Sequence, residues 1–269
     1  MDIQKTYPMG VRKFGRVNWI GVYTLTAREV TRFTSVWTQT VLAPLITAAL
    51  FLAVFDLAIG VRRGEVMGVA YIAFLAPGIM MMQLMQNAFT NSASFIVSSK
   101  IQGNIIDTLM PPLSPLETTV GYATGAAIRG VTVGGIIMIM TFPFIGLGIA
   151  HPLWLAVFVL LGSYLMALVG VATGVVADRF DHMHVVSNFI VLPLTFLSGT
   201  FYSIDILPPW LNAISHLNPI FYVIDGARYG VIGQSDANPV TGALIVLTLV
   251  VALSLLCFGL FRTGFRLKS

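Results

Sequence analysis

The chain has 269 residues, 57% of them hydrophobic and only 10% charged, with a mean hydropathy of +0.87. A soluble domain carries about 25% charged residues, so a water-soluble globule is excluded and the composition is that of an integral membrane protein. The net charge of +4 and the single cysteine, Cys257, require neither a nucleic-acid partner nor an intrachain disulfide.

In chain order, residues 1–35 read as a cytoplasmic N-terminus holding six Lys/Arg without a leading apolar run, so no cleavable signal is expected. Within it, 16–34 alternates Trp19, Ile20, Tyr23, Val30 and Phe33 with Arg28, Glu29 and Arg32. That alternation predicts an amphipathic helix on the membrane surface, its aromatics at headgroup level and its charged face toward water. Residues 36–269 then read as one membrane domain with six predicted spans: 36–59, 69–92, 119–142, 153–176, 185–201 and 240–261. Each is near or above the roughly 20 residues needed to cross the hydrocarbon layer. The predicted fold is therefore all-α, with no soluble domain between spans.

Basic residues collect on cytoplasmic flanks. With both termini inside, the cytoplasmic segments hold Lys5, Arg12, Lys13, Arg16, Arg28, Arg32, Lys100, Arg179, Arg262, Arg266 and Lys268. Outside there are Arg62, Arg63 and Arg228, with Arg129 inside the third span. This bias predicts an even number of spans and cytoplasmic termini.

Between spans two and three, 100–110 places Ile101, Ile105 and Leu109 every four residues and ends at Pro111-Pro112. A short cytoplasmic amphipathic helix is predicted, with Lys100, Asn104 and Asp107 left for polar contacts. It is either a cap on the bundle or a lever between a bound partner and the spans. In span three, small residues at 121, 125, 126, 130, 134 and 135 offer a close-packing face. Arg129 stands among them, either functional or reaching back toward the headgroups. Span two is rich in methionine, at 80, 81, 82 and 85, which suits packing or adaptable contact with apolar cargo.

The connection before the last span has Pro208-Pro209-Trp210 and then Asn218-Pro219, predicting two short helices over 205–232 that re-enter the membrane. Asp225 and Arg228, three apart, are placed to pair on one face. His182 and His184 lie near Asp178 and Asp181, but no third or fourth ligand is evident nearby, and no metal site is assigned. The chain has no G-x-x-x-x-G-K-[ST] sequence, hence no P-loop nucleotide site of its own, and no G-x-S-x-G, H-E-x-x-H or C-x-x-C.

Ala76-Pro77-Gly78, the run from Lys100 to Pro112 followed by Gly121 to Gly130, and Ser215-His216-Leu217-Asn218-Pro219-Ile220-Phe221-Tyr222 with Arg228 resemble the permease subunits of the ABC-2-type transporters. These are exporters of drugs, polysaccharides and lipo-oligosaccharides, among them the nodulation-factor exporters. The resemblance covers residues 16–269. It implies a connecting helix, a coupling helix after span two, six spans and re-entrant helices before span six. It also implies two copies of this chain in a bacterial inner membrane, working with two copies of an ATP-binding subunit that carries the ATP and magnesium, so that this chain holds no cofactor.

By the same resemblance, Arg28, Glu29, Arg32, Phe33, Lys100, Gln102, Asn104, Ile105 and Asp107 would couple to the ATPase. Spans two and five would line the path between copies with Met81, Gln83, Met85, Gln86, Asn87, Asn188, Phe189, Leu192, Thr195 and Phe196. Arg129, Pro219, Asp225 and Arg228 would serve structure or gating. An ATP-independent channel or carrier is the alternative; it would be expected to show more intramembrane acids or a filter-like sequence. A membrane-embedded enzyme would need converging catalytic groups.

Overall fold

A computed structural model describes residues 17–60 and 64–266. Segment 1–16, with Lys5, Arg12, Lys13 and Arg16, lies outside the described residues, as do Arg62, Arg63 and Lys268.

Helix α1 runs Trp19–Ser35; Asn18 caps it by accepting from the Gly21 amide. After a turn at Val36 the chain becomes helical again through a π segment, Thr38–Leu42, helix α2, Ala43–Phe55, and a second π segment, Asp56–Gly60. A two-residue hairpin, β1 (Glu65–Val66) on β2 (Val69–Ala70), turns the chain into α3, Tyr71–Ile101. Then come α4 (Ile105–Leu109), α5 (Pro115–Ile145) and α6 (Pro152–Val176).

Helices α7 (Phe180–Val186) and α8 (Leu192–Phe196) are joined through a π segment, Ser187–Val191, and are followed by α9 (Pro209–Leu217), α10 (Pro219–Ile232) and α11 (Pro239–Thr263). The ends of the long helices are set by local chemistry. Ser114 and Glu117 form a reciprocal capping box with Pro115 at the first helical position of α5, and Gly146 closes it in the left-handed region at φ 73°.

Among the described residues, five helices are long and apolar enough to cross a membrane: Thr38–Ala58, Tyr71–Ile101, Pro115–Ile145, Pro152–Val176 and Pro239–Thr263. The predicted span 185–201 is displaced. Its helix starts earlier, at Phe180, and stops at Phe196, seventeen residues in all. That is about 25 Å at 1.5 Å per residue, short of a hydrocarbon layer about 30 Å thick. The stop is built in: Gly199 takes φ 72°, and the hydroxyls of Ser198 and Thr200 donate to the Thr195 carbonyl at 2.5 and 2.9 Å.

The core is organised around α3. In its most apolar window 83% of residues are buried, against 11% in the first span and 22% in the last. Helices α5, α6, α10 and α2 all pack on α3, with α11 behind α6 and α5. Close approach depends on glycine: a Cβ at Gly130 would lie 2.7 Å from the Leu84 carbonyl oxygen, whereas at Gly135 it would meet nothing within 4 Å. The predicted small-residue face therefore divides, part serving α3, part serving α1 and Gly135 serving neither.

At the end of the bundle where α3 begins, α10 lies against α6 and α3 and ties the connections down. Arg228 is fully buried, 3.6 Å from Asp225 and 3.9 Å from Asp236; it donates to the Gly199 carbonyl at 2.6 Å and lies 3.9 Å above the Phe74 ring. Pro219 opens α10 while Asn218 caps it, and the Asn218 amide reaches the Leu194 carbonyl at 2.6 Å. The break expected at Asn218-Pro219 is thus also a clamp on the end of α8.

Candidate functional site

Helices α1, α4 and α5 meet at the other end, where α3 finishes. Leu25, Glu29 and Phe33, four residues apart, form the buried face of α1. Two glycines of α5 receive it: a Cβ at Gly121 would lie 2.6 Å from Leu25 Cδ2, and one at Gly125 would lie 2.5 Å from Glu29 Cβ. Asn18 fastens the start of α1, its amide N–H donating to Glu117 Oε1 at 2.6 Å and its side chain to the Pro112 carbonyl at 3.3 Å. Arg28 Nη2 donates to Thr108 Oγ1 at 3.0 Å, which joins α1 to α4.

One face of α3 supplies the rest. Gln83, Asn87, Asn91 and Phe95 follow at four-residue spacing and so lie one above another. Arg28 and Arg32 both stack on the Phe95 ring, at 4.9 and 4.5 Å. Asn91 Nδ2 donates to Glu29 Oε2 at 3.5 Å, while Asn91 Oδ1 and Asn87 Oδ1 accept from the two terminal nitrogens of Arg129 at 3.2 and 3.3 Å. Arg129 does not simply reach back toward headgroups; it bridges α5 to α3. Burial pushes the Glu29 carboxyl up to about 7, against the opposing pull of Arg32, Arg28 and the Asn91 amide. The same burial lowers Arg32 from the usual guanidinium range, with Glu29 opposing.

Several residues read as a coupling surface are elsewhere. Glu29 is 1% exposed, and Phe33 (5%) and Ile105 (6%) are also inside, so none of the three meets water or a partner. Their periodicity aims them at α5 and α3 because α1 and α4 each bury one face. Lys100 is the last turn of α3, not part of the short helix. Its Nζ donates to the carbonyls of Val175 and Ala177 at 2.9 and 2.8 Å and pairs with Asp178 at 3.3 Å, so it caps α6.

The stripe expected from Ile101, Ile105 and Leu109 fails for the same reason. The buried pair on α4 is Ile105 and Thr108, while Ile101, Ile106, Leu109 and Met110 are exposed. Arg28, Arg32, Gln102, Asn104 and Asp107 do face outward.

Of the expected path residues, Met81 and Met85 are 0% and 1% exposed, packed between α3 and its neighbours, and cannot line a passage at the subunit surface. Gln83 and Asn87 are also buried, Asn87 donating to the Gln83 carbonyl at 2.9 Å. Gln86 reaches Ser187 Oγ at 3.1 Å and links α3 to the 180–196 helix. On that helix Asn188, Phe189, Leu192 and Phe196 are exposed, while Thr195 is buried and bonded to the Val191 carbonyl at 2.8 Å. Asn91, Thr108 and Leu25 were missed. The four-residue spacing of Asn87, Asn91 and Phe95 was the available signal.

Residues 21–232 match the ABC-2 type transporter family. The chain is 36% identical over 251 residues to the inner membrane transport permease YadH of Escherichia coli K12, covering 93% of this chain and 98% of that one. It is 26% identical over 234 residues to nodulation protein J of Rhizobium leguminosarum bv. viciae (83% and 86%). Over 164 residues it is 26% identical to the putative transport permease ycf38 of Cyanophora paradoxa (59% and 56%). With its apolar helices, the YadH likeness makes it a multi-pass inner-membrane protein. The chain belongs to the ABC-2 type transporter family and is one of its membrane permeases.

Proposed function

We propose that this chain is the membrane half of an ATP-driven exporter, paired with a second copy of itself and with two separate ATP-binding subunits. The observation that carries the reading is the junction at the α1 end. Exposed apolar side chains of Ile106, Leu109 and Met110, with Ile101 at the end of α3, stand near the exposed polar groups of Gln102, Asn104 and Asp107, and α4 itself is bonded to α1 through Arg28 and Thr108. Apolar side chains in water at the end of a membrane bundle are what a partner protein covers. A push on α4 passes to α1 through that bond, and to α5 through Leu25 and Glu29 seated on Gly121 and Gly125.

In this reading the α1 end is cytoplasmic, both termini are inside, and the 180–196 helix is a short sixth span. The connection holding α9 and α10 re-enters from the other side. Lightly covered faces of the first span and of the 180–196 helix, the latter carrying Asn188, Phe189, Leu192 and Phe196, are where a second copy and the substrate would meet the subunit. Substrates would be hydrophobic or amphipathic. ATP and magnesium belong to the partner, so hydrolysis is not this chain's chemistry.

Co-purification tests it. The tagged permease should retain an ATP-binding subunit encoded beside it, and Ile106→Asp with Met110→Asp should release that subunit without lowering the yield of folded permease. Equal retention by wild type and variant would remove α4 from the contact.

A further inference from the structure

A groove of about 460 Å³ opens between the first span, α3 and α5, with Arg129 on its wall beside Gln83, Thr90, Gln39, Thr40 and Thr47. Its depth is fixed by the seat of α1. Leu25 and Glu29 rest on Gly121 and Gly125, and Arg129 is one turn further along α5, about 6 Å deeper than that seat. The guanidinium therefore stands just inside the layer occupied by the surface helix, on the side covered only by the sparsely packed first span.

Among the described residues no carboxylate lies within 4.0 Å of Arg129. Its partners are two neutral amide oxygens, of Asn91 and Asn87. Both are held as acceptors, because Asn91 gives its N–H to Glu29 and Asn87 gives its own to the Gln83 carbonyl. The guanidinium is thus oriented but not neutralised, and its buried Nε has no hydrogen-bond partner. The nearby carboxylate of Glu29 interacts with Arg32 and Arg28, both also engaged with Phe95, and reaches Arg129 only through Asn91. A fixed, uncompensated cation at membrane depth is costly, and an anion with several oxygens removes that cost.

We propose that this groove binds the anionic headgroup, phosphate or carboxylate, of a membrane amphiphile. The headgroup sits against Arg129 and the amides of Gln83 and Gln39, with the tails along the exposed apolar side of the first span. The assignment names a substrate class for the permease reading and rests on that reading only for calling the bound molecule cargo. Binding is measurable without any ATP-binding subunit, so its failure leaves the coupling experiments untouched.

The test is native mass spectrometry of the purified full chain with phosphatidylglycerol or phosphatidylcholine of identical acyl chains, each with and without inorganic phosphate. Wild type should retain the anionic lipid about tenfold better, the equivalent of one charge-assisted contact. Arg129→Gln should fall to parity, and Arg129→Lys, which keeps the charge but not the fork, should fall between them. Gln39→Leu, at an exposed position, should weaken retention and guards against misfolding at 129. No preference in wild type, or an unchanged preference in both Arg129 variants, overturns the site. Displacement of the lipid by inorganic phosphate alone overturns the amphiphile assignment. Loss of the dimer in Arg129→Gln with lipid preference intact makes the groove a contact between copies and overturns the proposal.

Discussion

Arg28 donates from Nη2 to the hydroxyl of Thr108 at 3.0 Å across eighty residues of sequence, and it is the side-chain hydrogen bond that binds α1 to α4. Thr108 is 4% exposed, so this bond lies at the buried root of α4 while Ile106 and Met110 stand out from it. In the proposed coupling, a load on those exposed residues would reach α1 through this bond.

Removing either end should uncouple without unfolding. Thr108→Val and Arg28→Met should each lower partner-stimulated ATP hydrolysis, and the double variant should be little worse than either. The double-mutant cycle should give a coupling of about 1 kcal/mol. Additive losses would mean that the two residues act separately.

The seat of α1 should be intolerant of a single methyl. Gly125→Ala drives a Cβ to within 2.5 Å of Glu29 Cβ, whereas Gly135→Ala meets nothing within 4 Å. The first should destabilise by about 1 to 3 kcal/mol in a detergent melt and the second should be neutral or slightly favourable. Equal melts would show that α1 does not sit on α5 this way.

Glu29 makes stability depend on pH in a stated direction. Its carboxyl is raised from the ordinary 4.5 to about 7, so between those values the folded chain binds more protons than the unfolded one, and stability falls as pH rises through that window. Arg28 and Arg32 on its own helix, and Arg129 through Asn91, are the charges around it. Wild type should melt lower at pH 8.5 than at pH 5.5, the loss being on the order of 2 kcal/mol at most. Glu29→Gln should flatten that difference, and an unflattened profile would place the titration elsewhere.

At the opposite end, Arg228→Met leaves Asp225 and Asp236 without their buried cation, and a loss of about 3 to 5 kcal/mol is expected. Asp225 and Asp236 also hold the connection, accepting from the amides of Asp236, Ala237 and Ile204. Limited proteolysis between 233 and 238 should therefore rise in this variant. A wild-type melt would remove the pairs from any structural role.

How much of this was legible varies with the kind of signal. The long apolar runs placed five spans to within a few residues at most boundaries, except that α3 extends nine residues past the predicted 92 and its last turn was read as the start of the coupling helix. Burial alone fixes such segments, because the bilayer demands internally paired backbone. The span at 185–201 was misplaced because what ends that helix is not hydropathy but Gly199 and two hydroxyls folding back on Thr195.

Within the site, charge was a poor guide to direction. Glu29 and Lys100 look like surface groups in sequence, yet one is buried against Gly125 and the other caps α6. Neither partner is near in sequence, so no local pattern could reveal the pairing. The methionines of α3 read equally as packing or lining, and only the crowding of helices around α3 puts Met81 and Met85 in the core.

The most direct measurement is ATP hydrolysis by the permease with its ATP-binding subunit in lipid, comparing wild type with Thr108→Val and with Ile106→Asp. Coupling through α4 predicts full activity for wild type. Ile106→Asp should lose partner binding and lipid-dependent hydrolysis together, while Thr108→Val should keep the partner bound but lose at least about fivefold in stimulation, the equivalent of roughly 1 kcal/mol. Undiminished stimulation in both variants, or hydrolysis by the permease chain alone, would contradict the account.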